Sequence, residues 1–216
     1  MYIAIEGVIG VGKTSLARLL QPSFDSNLLL EVFEENPFLS SFYQNRSRYA
    51  FQTQMFFLLS RYHQQRRSVT DMLSGKKPLI SDYTFEKDAL FARINLVGGE
   101  LEMYYKLHEA LAEKIPAPNL VVYLRATTDT LMHRITLRDR SYERSMDWDY
   151  IHALNSAYDE YFLHTNKSSP VLVIDSNELD FVHKIEDLQL MDNRIRQMLQ
   201  LPPFQIELPI TNNTVE

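Results

Sequence analysis

Five short runs of nearly uninterrupted apolar residues punctuate the chain and predict five β-strands: Tyr2 to Glu6, Leu28 to Phe33, Pro78 to Asp82, Leu120 to Arg125 and Val171 to Asp175. These runs do not alternate apolar with polar, as Leu120-Val121-Val122-Tyr123-Leu124 and Val171-Leu172-Val173-Ile174 illustrate. Strands of this kind are covered on both faces, as in a parallel sheet. Longer stretches with helical periodicity lie between them. The clearest runs from Tyr49 to Ser74, where Phe51, Met55, Leu58, Leu59 and Tyr62 mark one apolar face and Gly75 supplies a stop. Others follow Lys13, Glu86, Gly99, Thr127, Asp147 and Asp180. The alternation predicts an α/β fold, a doubly wound five-stranded parallel sheet built from right-handed crossovers with helices on both faces. A tail over 201–216, opened by Pro202-Pro203 and closed by Asn212-Asn213, reads as extended or disordered.

Composition mostly excludes. The 216 residues fit one ordinary domain, expected over 1–200, and 45% apolar with 23% charged residues leaves no case for disorder. A net charge of −6 argues against a broad nucleic-acid or anionic-membrane surface. The absence of cysteine removes disulfides, thiolate catalysis and Cys-ligated zinc. Neither a secretory signal nor an apolar run of spanning length is visible, so a soluble, cytoplasmic protein is expected.

Gly7-Val8-Ile9-Gly10-Val11-Gly12-Lys13-Thr14 fits G-x-x-x-x-G-K-[ST] directly after one predicted strand and before an amphipathic helix, which is the context this motif requires. Gly7, Gly10, Val11, Gly12 and Ser15 would turn backbone N–H groups around phosphate oxygens. Lys13 would reach the β- and γ-phosphates, and Thr14 would ligate magnesium. No Asn/Thr-Lys-x-Asp guanine reader follows the later strands, which disfavours a guanine-nucleotide switch. Ligands of doubly wound sheets bind beyond the carboxyl ends of the strands. Glu31 and Asp82 stand there, at the ends of the second and third predicted strands, and a carboxylate in an apolar strand is costly without a ligand or partner. Glu34 and Glu35 read instead as solvated or capping charge. Arg134, Arg138, Arg140 and Arg144 crowd into eleven residues after the fourth strand and suggest a lid over a transferring phosphoryl group.

With these residues in place, the chain resembles the deoxynucleoside kinases, a family that includes deoxycytidine, deoxyguanosine and deoxyadenosine kinases. The segment Glu31-Val32-Phe33-Glu34-Glu35-Asn36-Pro37-Phe38 is similar to the family's E-x-[VF]-[ED]-x-N-P-[YF], and Phe51 to Arg61 to its base-reading helix. Arg134-Ile135-Thr136-Leu137-Arg138-Asp139-Arg140-Ser141-Tyr142-Glu143 is similar to its R-I-x-x-R-x-R-x-x-E lid, and Asp175 to Phe181 to its adenine loop with one extra residue. The resemblance implies a P-loop kinase fold with a helical lid, and transfer of the ATP γ-phosphoryl group to a deoxynucleoside 5′-hydroxyl with Mg²⁺. It gives Glu31 as candidate base, with Asp82 as magnesium holder or rival base. Tyr43 and Glu143 would hold the 3′-hydroxyl, Gln54, Arg61 and Asp88 the nucleobase, and Arg134, Arg138, Asp180 and Phe181 the donor. It further implies a homodimer, for which Met103, Tyr104, Leu107 and Leu111 offer an apolar stripe. Asp82-Tyr83-Thr84 stands where the family has [ED]-R-S, so an arginine is missing and Arg134 becomes the expected compensating charge. The Asp-Tyr pair resembles bacterial deoxyguanosine kinases and points toward a purine, deoxyguanosine or deoxyadenosine. A thymidylate-type monophosphate kinase and an ATP-binding regulatory module are the alternatives. The first would want a basic acceptor-phosphate site near the second strand, where this chain has acids.

Overall fold

Strands that are apolar throughout need cover on both faces, and the chain provides it in sequence order. In the computed structural model, which describes residues 1–203 apart from Lys76 and Lys167, β1 (Tyr2–Glu6) leads into α1 (Lys13–Phe24) and β2 (Asn27–Leu29). After β2 come a 3₁₀ turn at Phe33–Glu35, α2 (Leu39–Gln44), the long α3 (Arg46–Ser74) and β3 (Leu79–Ser81). Helices α4 (Lys87–Asn95) and α5 (Gly98–Ala112) precede β4 (Leu120–Arg125). Then follow α6 (Thr128–Arg138), a 3₁₀ turn at Ser141–Glu143, α7 (Trp148–Asp159) with a π-helical extension at Glu160–Thr165, β5 (Val171–Asp175) and α8 (Ile185–Met198). All pairings are parallel and the strand order is β2-β3-β1-β4-β5.

The limits of β1, β4 and β5 coincide with the predicted ones. β2 and β3 are shorter than expected. β2 is an edge strand, and after Leu29 the chain leaves the sheet, so Glu31 stands two residues beyond the ladder rather than at its end. The amide side chain of Gln64 on α3 fixes the departing segment by donating to the Leu30 carbonyl at 2.9 Å. α3 starts at Arg46, before the predicted Tyr49, because the Asn45 side chain caps it by accepting from the Arg48 N–H at 3.3 Å. α8 begins later than expected after Asp180, since Asp180 to Lys184 close a turn first.

The apolar face predicted for α3 needs correction. Leu58 and Tyr62 are buried but Leu59 is exposed, and the inward side also carries Thr53, Gln54, Arg61 and Gln65. A helix that buries four polar side chains borders something other than a plain core. On α5, Tyr104 is buried, Leu107 and Leu111 are half-buried and Met103 is exposed, so the stripe is divided between core and surface. No helix among the described residues is long and apolar enough to cross a membrane. The expected tail lies, from Phe204 onward, outside the described residues.

Candidate active site

The turn between β1 and α1 is shaped by backbone that only glycine adopts without strain. Gly7 (φ +145°) and Gly12 (φ +105°) lie in the left-handed half of conformational space, and Gly12 is the N-cap of α1. A β-carbon at Gly7 would stand 2.5 Å from the Leu124 carbonyl oxygen, and one at Gly12 would stand 2.8 Å from the Phe181 ring. The loop therefore wraps the positive end of α1, a position suited to a ligand's phosphates, and the Phe181 ring packs against it at Gly12. Lys13 opens the helix and turns its ammonium back to donate to the carbonyls of Gly7 at 2.7 Å and Val8 at 3.1 Å. Burial and the neighbouring Lys87 push its pKa down to about 8 against the opposing pull of Glu6, Glu31 and Asp82.

Thr14, one residue on, donates to Asp82 Oδ2 at 2.5 Å, and Asp82 Oδ1 accepts the backbone N–H of Glu31 at 2.8 Å. Asp82 is thereby oriented toward the cradle and fixes the segment that carries Glu31. A hydroxyl beside a carboxylate fits Mg²⁺, which takes one or two protein oxygens and completes its octahedron with phosphate and water. No cluster of three or more His, Cys, Asp or Glu able to hold a metal alone occurs among the described residues.

Two clefts meet at this turn. One is lined by Lys13, Thr14, Glu31, Asp82, Tyr43, Gln54, Arg61, Arg138 and Glu143 together with Phe33, Phe57, Phe91 and Tyr150, among others. Apolar walls with a few convergent polar groups characterise small-molecule sites. Gln54 and Arg61, two turns apart on α3, both face it as their spacing predicts, and Gln54 Oε1 is buried without a partner. Arg61 forms ion pairs with Asp88, which is fully buried, and with Glu31, donating from Nε to Oε1 at 3.0 Å. The guanidinium of Arg61 and the ammonium of Lys87 hold the Glu31 carboxyl well below the usual carboxylate range despite its burial. Tyr43 and Glu143 meet in the same cleft, and burial with neighbouring negative charge drives the Tyr43 hydroxyl well up. The Tyr43 ring stacks on Tyr142 at 6.1 Å between centroids.

The other cleft is lined by Gly10, Val11, Gly12, Ser15, Arg134, Arg138, Asp180 and Phe181, with Thr130, His133, Leu137, Asn177, Leu179 and other neighbours. Arg134 belongs to this side. It donates to the Ser176 carbonyl at 2.6 Å and Ser176 Oγ at 3.2 Å, with longer bonds to Leu179 and Val11, and so ties the loop after β5 to the cradle. Arg134, the expected compensating charge for the arginine absent at position 83, thus lines the cleft on the donor side of the cradle and not the one that contains Glu31. Arg138 alone among the arginines borders both clefts, and its bidentate pair with Glu143 places it over their junction. Arg140 lies 4.4 Å from the Phe33 ring centroid, whereas Arg144 pairs with Asp139 on the surface, outside both clefts.

Two participants escaped the sequence reading. Lys87, at the start of α4, is buried and donates to Glu31 Oε2 at 2.5 Å. Glu6, wholly buried at the end of β1, accepts from the Thr84 N–H at 2.6 Å, from Thr84 Oγ1 at 3.0 Å and from the Gly7 N–H at 3.2 Å, which stitches the cradle to the loop after β3. Burial raises its pKa against the nearby lysines. The rule that singled out Glu31 and Asp82, a carboxylate leaving an apolar strand, applies equally to Glu6.

Comparison with known proteins agrees with this geometry along nearly the whole chain. The family model described as "Deoxynucleoside kinase" matches residues 3–200. A deoxyguanosine kinase of Bacillus subtilis (strain 168) is 35% identical over 201 residues, which covers 92% of this chain and 97% of that protein. A deoxyadenosine kinase of Dictyostelium discoideum is 30% identical and covers 99% and 89%. Among solved structures, deoxyadenosine kinase from M. mycoides with bound dCTP superposes with a TM-score of 0.79 at 26% identity, over 91% of this chain and 100% of that one. A phosphate cradle beside a small-molecule cleft, on a five-stranded parallel sheet of this order and over this length, makes the chain a member of the deoxynucleoside kinase family, whose proteins are phosphotransferases.

Proposed function

We propose that the enzyme transfers the γ-phosphoryl group of ATP, as its Mg²⁺ complex, to the 5′-hydroxyl of a purine deoxynucleoside in cytoplasmic salvage, and that it works as a homodimer paired through its outer helices. The observation that carries the reading is the single wall on which Lys13, Thr14 and Asp82 stand beside Glu31, Arg61 and Gln54. The cleft of Phe181 and Arg134 takes the donor, and the cleft of Gln54 takes the acceptor.

In the reaction the acceptor O5′ forms a bond to the γ-phosphorus as the bond to the β,γ-bridging oxygen breaks, that electron pair leaving with ADP. Such a loose transition state asks mainly for position and charge. Thr14 and Asp82 would hold Mg²⁺, which would supply Lewis-acid neutralisation of the phosphates. Lys13 and Arg138 flank the moving group. Glu31 accepts a hydrogen bond from the 5′-hydroxyl and orients it. Because its cationic neighbours make this carboxylate a weak base, the proton passes to it late, once the oxygen is already bonding to phosphorus. Asp82, bonded to the Thr14 hydroxyl on the cradle side, is assigned to the metal, and Glu31, beside Arg61 and Gln54 in the acceptor cleft, to the proton.

Arg61 offers donors in a planar fork and Asp88 offers acceptors, so together with Gln54 they suit a base edge carrying both kinds of group. Guanine, adenine and cytosine carry both. Thymine replaces the exocyclic amine with O4 and keeps only N3–H as a donor, so it meets the Arg61–Asp88 pair with one donor fewer, and a mismatch of this kind costs about 1–3 kcal/mol, or roughly tenfold to a few hundredfold in rate. The purine choice is supported by Asp82-Tyr83 and by the names of the relatives above. The experiment is kcat/KM for the four deoxynucleosides with MgATP. Deoxyguanosine or deoxyadenosine should rank first and thymidine poorly, and thymidine ranking first would overturn the base-reading assignment.

Lys13 gives a second check. Triphosphate favours the ammonium form, so above the free protein's value of about 8 binding should draw a proton from solvent, and ATP affinity should fall as the pH rises past that point. Calorimetric titration in two buffers of different ionisation enthalpy at alkaline pH measures this uptake, and equal apparent enthalpies would contradict it.

A further inference from the structure

A phosphoryl group in transit needs positive charge on the acceptor side as well as the donor side. The donor side has Lys13. On the acceptor side the loop after β3 offers nothing, because Tyr83 turns away from the cleft into a small core with Tyr2, Leu29, Val69 and Leu79, and its hydroxyl donates to Gln64 Oε1 at 2.6 Å. The charge returns a few residues later. Lys87 begins α4 and crosses the cleft wall to Glu31 Oε2 at 2.5 Å, lining the same wall as Lys13, Thr14 and Asp82.

Its placement is unfavourable on three counts. The ammonium is taken out of water, it stands in the first turn of a helix whose dipole repels cations, and it is close enough to Lys13 for the two positive charges to disfavour each other. Glu31 offsets part of this, but Glu31 already has a cation on its other oxygen, from Arg61. Such a site is suited to an incoming anion. We propose that Lys87 is a catalytic residue, whose ammonium bridges Glu31 and the transferring phosphoryl oxygens and does the work of the arginine absent from position 83. The assignment rests on the kinase reading above.

The test compares Lys87→Gln, Lys87→Met, Lys87→Arg and Lys87→Ala, with folding followed by circular dichroism. Glutamine removes the charge and keeps a hydrogen-bond donor on a side chain one atom shorter, methionine keeps that same shorter length without charge or donor, and the arginine and ethylammonium arms then separate catalysis from a purely structural role. Lys87→Gln should lose about 10²- to 10³-fold in kcat, the effect typical of one preorganised charge, with little change in nucleoside KM. Lys87→Arg should retain most of the parent kcat. Added ethylammonium should raise kcat of Lys87→Ala in proportion to its concentration and leave the parent unaffected. A Lys87→Gln enzyme with parental kcat, a loss confined to nucleoside KM, or a folded Lys87→Ala enzyme indifferent to ethylammonium would each overturn the assignment while the active parent upholds the kinase reading. A parent inactive on every deoxynucleoside would overturn both.

Discussion

Replacing Lys13 by alanine is expected to lower kcat by about 10²- to 10³-fold while the folded state survives. Among the described residues the side chain bonds to two carbonyls of its own loop, Gly7 and Val8, and makes no ion pair. Water can take over those carbonyls, and removing the ammonium relieves its repulsion with Lys87. The loop itself is shaped by its glycines and by the Glu6 bond to the Gly7 N–H, none of which the substitution touches. What vanishes is the charge facing the β- and γ-phosphates, so the loss should appear in kcat at saturating deoxynucleoside, with thermal unfolding near that of the parent. Parental turnover would remove the cradle from the mechanism.

Glu31→Gln should act on both stability and rate. Its carboxylate is shared between Arg61 and Lys87, both buried, and the amide leaves these cations with one partner fewer. Breaking a buried pair from one side costs about 3–5 kcal/mol, and the amide's remaining acceptor oxygen puts the expectation at the lower end. Turnover should fall by about 10²-fold or more, since the amide neither orients the hydroxyl as well nor takes its proton. The stability difference has a defined pH dependence. Glu31 in the folded protein titrates below its ordinary value of 4.5, so its contribution is complete above that pH and is lost as the pH falls through the lower folded value. Urea unfolding of parent and variant at neutral pH and at progressively lower pH should show the gap narrowing in acid. A constant gap would mean that the carboxylate's charge does not stabilise the fold.

The fold was readable where one residue pattern had one cause. β1 and β4 are buried on both faces, so their apolar runs end where the strands end, and the edge strand β5 buries Leu172 and Ile174 on one face while Val171 and Val173 on the other are half-buried and still apolar. At β2 the same signal had two causes. Leu28 and Leu29 belong to the ladder, whereas Leu30 and Phe33 are apolar because they pack beside the core and line the cleft, and no local pattern separates these roles. The cradle and the Gln54–Arg61 spacing were legible because glycine conformation and helical repeat are local properties. Lys87 was not, since Glu86-Lys87-Asp88 reads as the charged start of a solvated helix, and only tertiary structure turns Lys87 and Asp88 inward. Arg134 shows the converse. Its place in a basic segment was clear, but which carbonyls it would bind depended on where the loop after β5 comes to rest.

Asp88, Arg61, Glu31 and Lys87 form an unbroken chain of alternating charge that runs from a fully buried carboxylate out to the wall of the cleft. The four formal charges sum to zero, so losing any one leaves an excess among largely buried groups, and Glu31, the carboxylate assigned above to the 5′-hydroxyl, pairs with both cations and feels the change. Under the proposed roles, a charge change at Arg61 or Asp88 is therefore expected to alter base preference and turnover together. A lineage or a protein engineer seeking a new base must change complementary members together, Arg61 with Asp88 as a neutral pair, because each single step passes through an intermediate that binds differently and also reacts poorly.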